Sequence, residues 1–207
     1  MLIHPWDTAH DEKQWRDFVH AQGFGHLVAA GAGRAVPVVV PTQFALDGDQ
    51  ILLHLARPNP IWKALAENPS VVLSIAGDWA YIPTHWKTVD GEDPAWGVPT
   101  TYYGAVQLIG IAEVVDDPAE KADLLRRQLA DVQPEGGHVD PSEHVRLMPG
   151  LRGLRVVLTD VRAKFKYGGN VDHDHRRVVA DHLTNRNGPG DPAALTHLLS
   201  GIAREER

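Results

Sequence analysis

The spacing of apolar and polar positions changes period several times along the chain, and each change marks an element. Residues 8–22 put Trp15, Phe18 and Val19 on one helical stripe, with Thr8 as the expected cap and Gly23 as the stop. Residues 24–30 read as a strand, followed by a Gly31-Ala32-Gly33 turn. Residues 35–46 read as a second strand, and Pro37 and Pro41 place it at an edge or on a bulge because neither can donate to a ladder. Asp47-Gly48-Asp49 is a hairpin turn into the apolar run 51–55. Pro58-Asn59-Pro60 then breaks the chain, and Ile61, Trp62, Leu65 and Ala66 recur as one face of a short helix that Asn68-Pro69 ends.

A second apolar run, 71–75, leads to Tyr81 and Trp86. Residues 87–99 have no apolar period and read as a mobile flap. Residues 100–115 form a long strand with β-branched and aromatic positions, and Asp117-Pro118 opens a helix to about residue 132. The last strand covers 154–161 and extends towards Lys166; two helices split at Asn187-Gly188-Pro189-Gly190 finish the chain. The pattern predicts a mainly β fold of about six antiparallel strands with peripheral helices. We expect a domain over residues 1–169 and a helical extension over 170–207.

Composition narrows the function. The chain has 207 residues, 43% of them apolar, enough for one large core. A net charge of -7 argues against broad attraction to nucleic acid. The absence of cysteine excludes disulfides, thiolate metal sites and cysteine nucleophiles. No run approaches the roughly 18 apolar residues of a membrane span, and the start lacks a secretory pattern, so the expected location is cytoplasmic.

Candidate chemistry centres on the end of the run at 51–55. Arg57, Asn59 and the first amides of the short helix form a polar shelf suited to a phosphate, with Trp62, Tyr81 and Trp86 as candidate walls for a planar ring. Each residue also has a plainer reading: Arg57 as a surface ion-pair partner of Glu67 or Asp78, Trp62 as a core face, His54 as a satisfied histidine. Asp172, His175 and His182 share a helical face, yet acids at a helix start have an ordinary capping role. No serine sits in a nucleophile elbow and no helix-turn-helix is visible; Arg126-Arg127 and Arg176-Arg177 are small basic spots.

Three ordered motifs carry a family resemblance: His54-Leu55-Ala56-Arg57-Pro58-Asn59-Pro60-Ile61-Trp62, then Ala80-Tyr81-Ile82 with Trp86, then Val98-Pro99-Thr100 with Tyr103, Val106 and Gly110. Together they resemble the FMN-binding negative transcriptional regulator family (PaiB-like). That resemblance implies a flavin-reductase-like split β-barrel, a homodimer with FMN in a groove between subunits, and a regulatory or flavin-sensing role. A flavin-dependent oxidoreductase is the alternative. By matching position, His54, Arg57, Asn59, Trp62 and Lys63 shape the cofactor pocket, Pro41 and Thr42 lie beside the flavin ring, and Tyr81, Trp86, Tyr103 and Gln107 close it from the second subunit. The resemblance departs at Pro83-Thr84-His85 and Lys87, where the family usually has Ser-Pro-Ser and a tyrosine, and at Gln107, which takes a histidine's place.

Overall fold

A computed structural model of the chain describes residues 1–88 and 93–206. The first helix, α1 (Glu12–Gln22), starts later than its polar flank suggests. Asp11 caps it, its carboxylate accepting from the Gln14 amide at 2.8 Å, while the Gln14 side chain accepts from the His10 amide at 2.8 Å. Thr8 instead bridges to Lys164.

Seven strands make one antiparallel sheet, in the order β2-β1-β5-β6-β7-β4-β3. They are β1 (Phe24–Ala29), β2 (Val38–Gln43), β3 (Ala45–Asp47), β4 (Gln50–Ala56), β5 (Ser70–Ile82), β6 (Thr100–Val115) and β7 (Leu151–Lys166). The helices that follow α1 are α2 (Ile61–Glu67), α3 (Pro118–Val132), α4 (His173–Arg186) and α5 (Asp191–Glu205). The extra strand comes from the stretch at 35–46, which divides at Phe44. That ring is 1% exposed, and holding it inside turns the chain, so β2 pairs with β1 while β3 pairs with β4. Pro41 lies opposite His26 on the outermost strand, where its missing N–H leaves no ladder bond unmade.

β5 also runs further than its apolar stretch. Val71, Leu73 and Ile75 point inward, and after Gly77-Asp78 the inward positions become Ala80 and Ile82. Asp78 causes the change of parity: its φ of 52° is left-handed, an extra residue of the kind that defines a bulge. The bulge is pinned, with the Asp78 carboxylate 2.8 Å from His197 Nε2 and its carbonyl accepting from the Tyr167 hydroxyl at 3.0 Å. The shifted parity turns Trp79 and Tyr81 outward.

The chain divides into two compact units. The central unit holds residues 16–75 and 106–162. Its core takes all of Ile51, Leu52 and Leu53, so β4 is covered on both faces, and α2 buries Ile61, Trp62, Ala64 and Leu65. The terminal unit holds residues 1–15, 76–105 and 163–207. There α4 and α5 bury Val179, Leu183, Ala194 and Leu198, and α4 ends where Asn187 turns left-handed at φ 45°. The predicted flap at 87–99 falls partly on residues 89–92, outside the described residues; a short 3-10 turn, Thr84–Trp86, precedes it and another, Pro94–Trp96, lies within its described part.

Candidate functional site

In the central unit the shelf after β4 is built by Asn59. Its amide donates to the Ala56 carbonyl at 3.0 Å, its side-chain oxygen accepts from the Ile61 amide at 3.0 Å, and its carbonyl accepts from the Trp62 amide at 3.4 Å. The Trp62 indole N–H donates to the Ala56 carbonyl at 2.9 Å, and the ring is 7% exposed with the Arg152 guanidinium 5.7 Å from its centre. Trp62 therefore works mainly as a core residue that ties helix to strand.

Arg57 is equally committed. Its Nε donates to the Pro149 carbonyl at 2.7 Å and its two terminal nitrogens fork onto Asp116 at 3.0 and 2.6 Å. Lys121 and Arg152 reach the same carboxylate at 3.4 and 3.2 Å. The Arg57 hydrogen bond is the main reason the Asp116 carboxyl is held down to about 2. The partner is neither Glu67 nor Asp78, and the fork that a phosphate would take is filled by the chain's own acid. Glu67 binds Arg34 instead, at 2.7 Å.

Other predicted positions of this unit are scattered in role. His54 is exposed on β4 and its Nδ1 lies 2.8 Å from the Gln128 side-chain oxygen, on the wall of a cavity of about 270 Å³ that also includes His138 and His144. Pro41 and Lys63 are exposed, Gln107 is half-buried, and the buried Thr42 hydroxyl donates to the Gln43 carbonyl at 2.9 Å.

In the terminal unit, Trp86 is packed between the His182 ring, stacked at 4.8 Å, and the Arg186 guanidinium at 4.5 Å. It is 7% exposed, so α4 occupies the faces that a ligand ring would use. His182 is thereby engaged away from Asp172, which caps α4 by accepting from the His175 amide at 2.8 Å. Tyr81 is 50% exposed and Trp79 59%, side by side on one face of β5.

Tyr103 sits among cations. The Lys164 and Lys166 ammonium groups lie 5.8 and 6.0 Å from its ring centre. Lys164 is neutralised by Asp7 at 3.5 Å and donates to the Leu2 carbonyl at 2.9 Å. Lys166 donates to the Thr100 hydroxyl at 2.6 Å and, among the described residues, meets no carboxylate. Burial, with Lys166 nearby as a second cause, pushes the half-buried Lys87 ammonium below its ordinary value. Burial and then Lys87 lower His175, whose Nε2 is buried without a hydrogen-bond partner. Sequence reasoning singled out Tyr103 but missed Lys166. The available signal was the alternation Lys164-Phe165-Lys166-Tyr167, which places both lysines on one face of β7.

Residues 1–160 match the family described as "Putative FMN-binding domain". A Bacillus subtilis protein named "Protease synthase and sporulation protein PAI 2" is 24% identical over 185 residues, which is 86% of each chain. Among solved structures, the flavocytochrome Anf3 from Azotobacter vinelandii superposes with a TM-score of 0.61 at 20% identity, covering 83% of this chain and 75% of that one. The Mycobacterium tuberculosis protein Rv2991 gives 0.58 at 18% identity, covering 84% and 95%. These likenesses are to the fold alone, and they agree with a split barrel. The match across most of its length makes the chain a member of that FMN-binding family, with FMN as the cofactor.

Proposed function

We propose that the protein is a homodimer that binds FMN at a groove shared between two subunits and acts as a flavin-responsive regulator. The observation that carries this reading is the outward aromatic face of β5. Trp79 and Tyr81 stand 59% and 50% exposed, and the bulge that turns them out is held by two hydrogen bonds. Large rings held rigidly in water suit a subunit contact or the wall of a ring-binding groove.

The residues fit the cofactor in kind. FMN needs an aromatic or apolar wall and cations for its phosphate, and the terminal unit offers Tyr81, Tyr103 and the Lys166 ammonium group, which meets no carboxylate among the described residues. When bound, the flavin supplies any redox chemistry, while the protein orients it and sets its surroundings. A regulatory role draws support from the Bacillus subtilis relative, whose name links it to sporulation. Direct operator contact has less behind it. Arg126 and Arg127 pair with Asp140 and Asp47, and Arg176 and Arg177 pair with Glu205 and Glu206, so both basic doublets are spent internally.

Absorbance of the purified protein with added FMN tests the cofactor, and light scattering tests the assembly. The expected results are a bound flavin spectrum and a mass of about twice 22.7 kDa. A colourless monomer that does not take up FMN ends this reading. Sustained NAD(P)H-driven flavin turnover would replace the regulator with an oxidoreductase.

A further inference from the structure

Around the Asp116 carboxylate the charges do not balance. Arg57, Lys121 and Arg152 all reach it, at 2.6, 3.4 and 3.2 Å, and three cations on one acid leave two positive charges in excess. Lys121 holds the most demanding of these positions. Its side chain is 3% exposed, and an ammonium group out of water is costly unless its charge and its donors are met. Asp116 and the Leu151 carbonyl, at 3.1 Å, take two of its three N–H donors; among the described residues nothing takes the third.

Arg57, Asp116 and Lys121 line a cavity of about 670 Å³ whose walls all belong to the central unit, a volume usual for small-molecule sites. Most of the remaining wall is apolar. Ala122 and Met148 contribute buried surface, and Val145 stands 73% exposed, an apolar side chain that a ligand would cover. The other polar residues of the wall, Arg126 and Ser142, are both engaged by Asp140. The unmet hydrogen-bonding capacity therefore gathers at Lys121.

Excess positive charge beside apolar walls selects for one kind of ligand. A carboxylate meets the charge and the open N–H of Lys121, and an apolar chain or ring attached to it displaces water from Ala122, Val145 and Met148. The isoalloxazine of a flavin fits less well, because its polar edge finds few partners along these walls. The geometry points to a second binding site, for an organic acid with an apolar body. Its carboxylate sits on Lys121 beside Arg57, and its body lies in the cavity between α3 and the segment at 142–149. This site is separate from the flavin groove and does not depend on the flavin reading.

The test is calorimetric titration of the full chain with octanoate, with and without saturating FMN, using octanol and octylammonium as probes of the same chain length. Octanoate is expected to bind once per chain and roughly tenfold tighter than octanol, with octylammonium weakest. Lys121→Met should remove the preference for octanoate while octanol binding stays, which also reports that the variant is folded. Val145→Glu changes an exposed residue; it should weaken octanoate roughly tenfold and leave octylammonium no weaker. No saturable octanoate binding, equal affinity for octanoate and octanol, or octanoate binding untouched in both variants overturns the site. Octanoate and FMN displacing each other would make this the flavin's own place, which ends the proposal and leaves the flavin reading standing. A protein that binds octanoate as described but takes up no FMN keeps the acid site and loses the flavin reading alone.

Discussion

The shelf after β4 and the β7 lysines beside Tyr103 both gather cations, and their charges are met in different ways. On the shelf, Arg57, Lys121 and Arg152 converge on Asp116, whose carboxylate is fixed by all three. Beside Tyr103, Lys164 pairs with Asp7, whereas Lys166 donates to the Thr100 hydroxyl and, among the described residues, meets no carboxylate. The difference teaches that a cluster of basic residues becomes a binding site through what it leaves unanswered. A fork that is already matched serves the fold; an ammonium group without a counter-charge is available to a ligand.

The contrast can be broken in several places. Trp62→Ala has the largest expected effect, a loss of about 3–5 kcal/mol in unfolding free energy, because it empties a buried ring site under α2. Urea denaturation reads it, and a loss below about 1 kcal/mol would show that the ring is not core. FMN and riboflavin affinities should move together in that variant.

Arg57→Ala comes next. It should destabilise the fold by freeing the Pro149 carbonyl and weakening the hold on Asp116. The preference for FMN over riboflavin should survive. Loss of that preference with stability intact would place the phosphate on the shelf.

Acid sharpens the same point. Asp116 is held at about 2 against an ordinary 3.8, so its pairing contributes stability above the ordinary value that is lost as the pH falls from there towards 2. Asp116→Asn should flatten the stability curve across that window. Glu205, held down to about 2 chiefly by Arg176, makes a second contribution with the same sign in the other unit. A variant curve parallel to that of the wild type would count against the Asp116 cluster. His54→Ala should do least, about 1 kcal/mol, because it gives up a single neutral contact, to the buried Gln128 side chain. A larger loss by the same denaturation assay would make that pair structural.

Local pattern made much of the fold legible. The apolar run of β4, the Pro58-Asn59-Pro60 break, the face of α2 and the left-handed stop at Asn187 all follow from residue spacing and turn chemistry. The split at Phe44 was hidden, because two strands bound for opposite edges share one apolar stretch. The outward turn of Trp79 and Tyr81 was hidden too, since Asp78 takes its left-handed backbone from partners at Tyr167 and His197, far along the chain. At the site, sequence motifs located Arg57 but not its occupant. Asp116 lies 59 positions away, and nothing local links them.

The register between β4 and β7 bears on how the protein is made. Gln50 to Ala56 align with Val157 to Leu151, so one side of β4 has no partner until the ribosome has added about a hundred further residues. Until then a nascent chain displays an open, strongly apolar strand border, the kind of surface that recruits chaperones or self-associates. Truncation just before residue 151 should therefore give an insoluble product, whereas loss of the last few residues of α5 leaves that pairing in place.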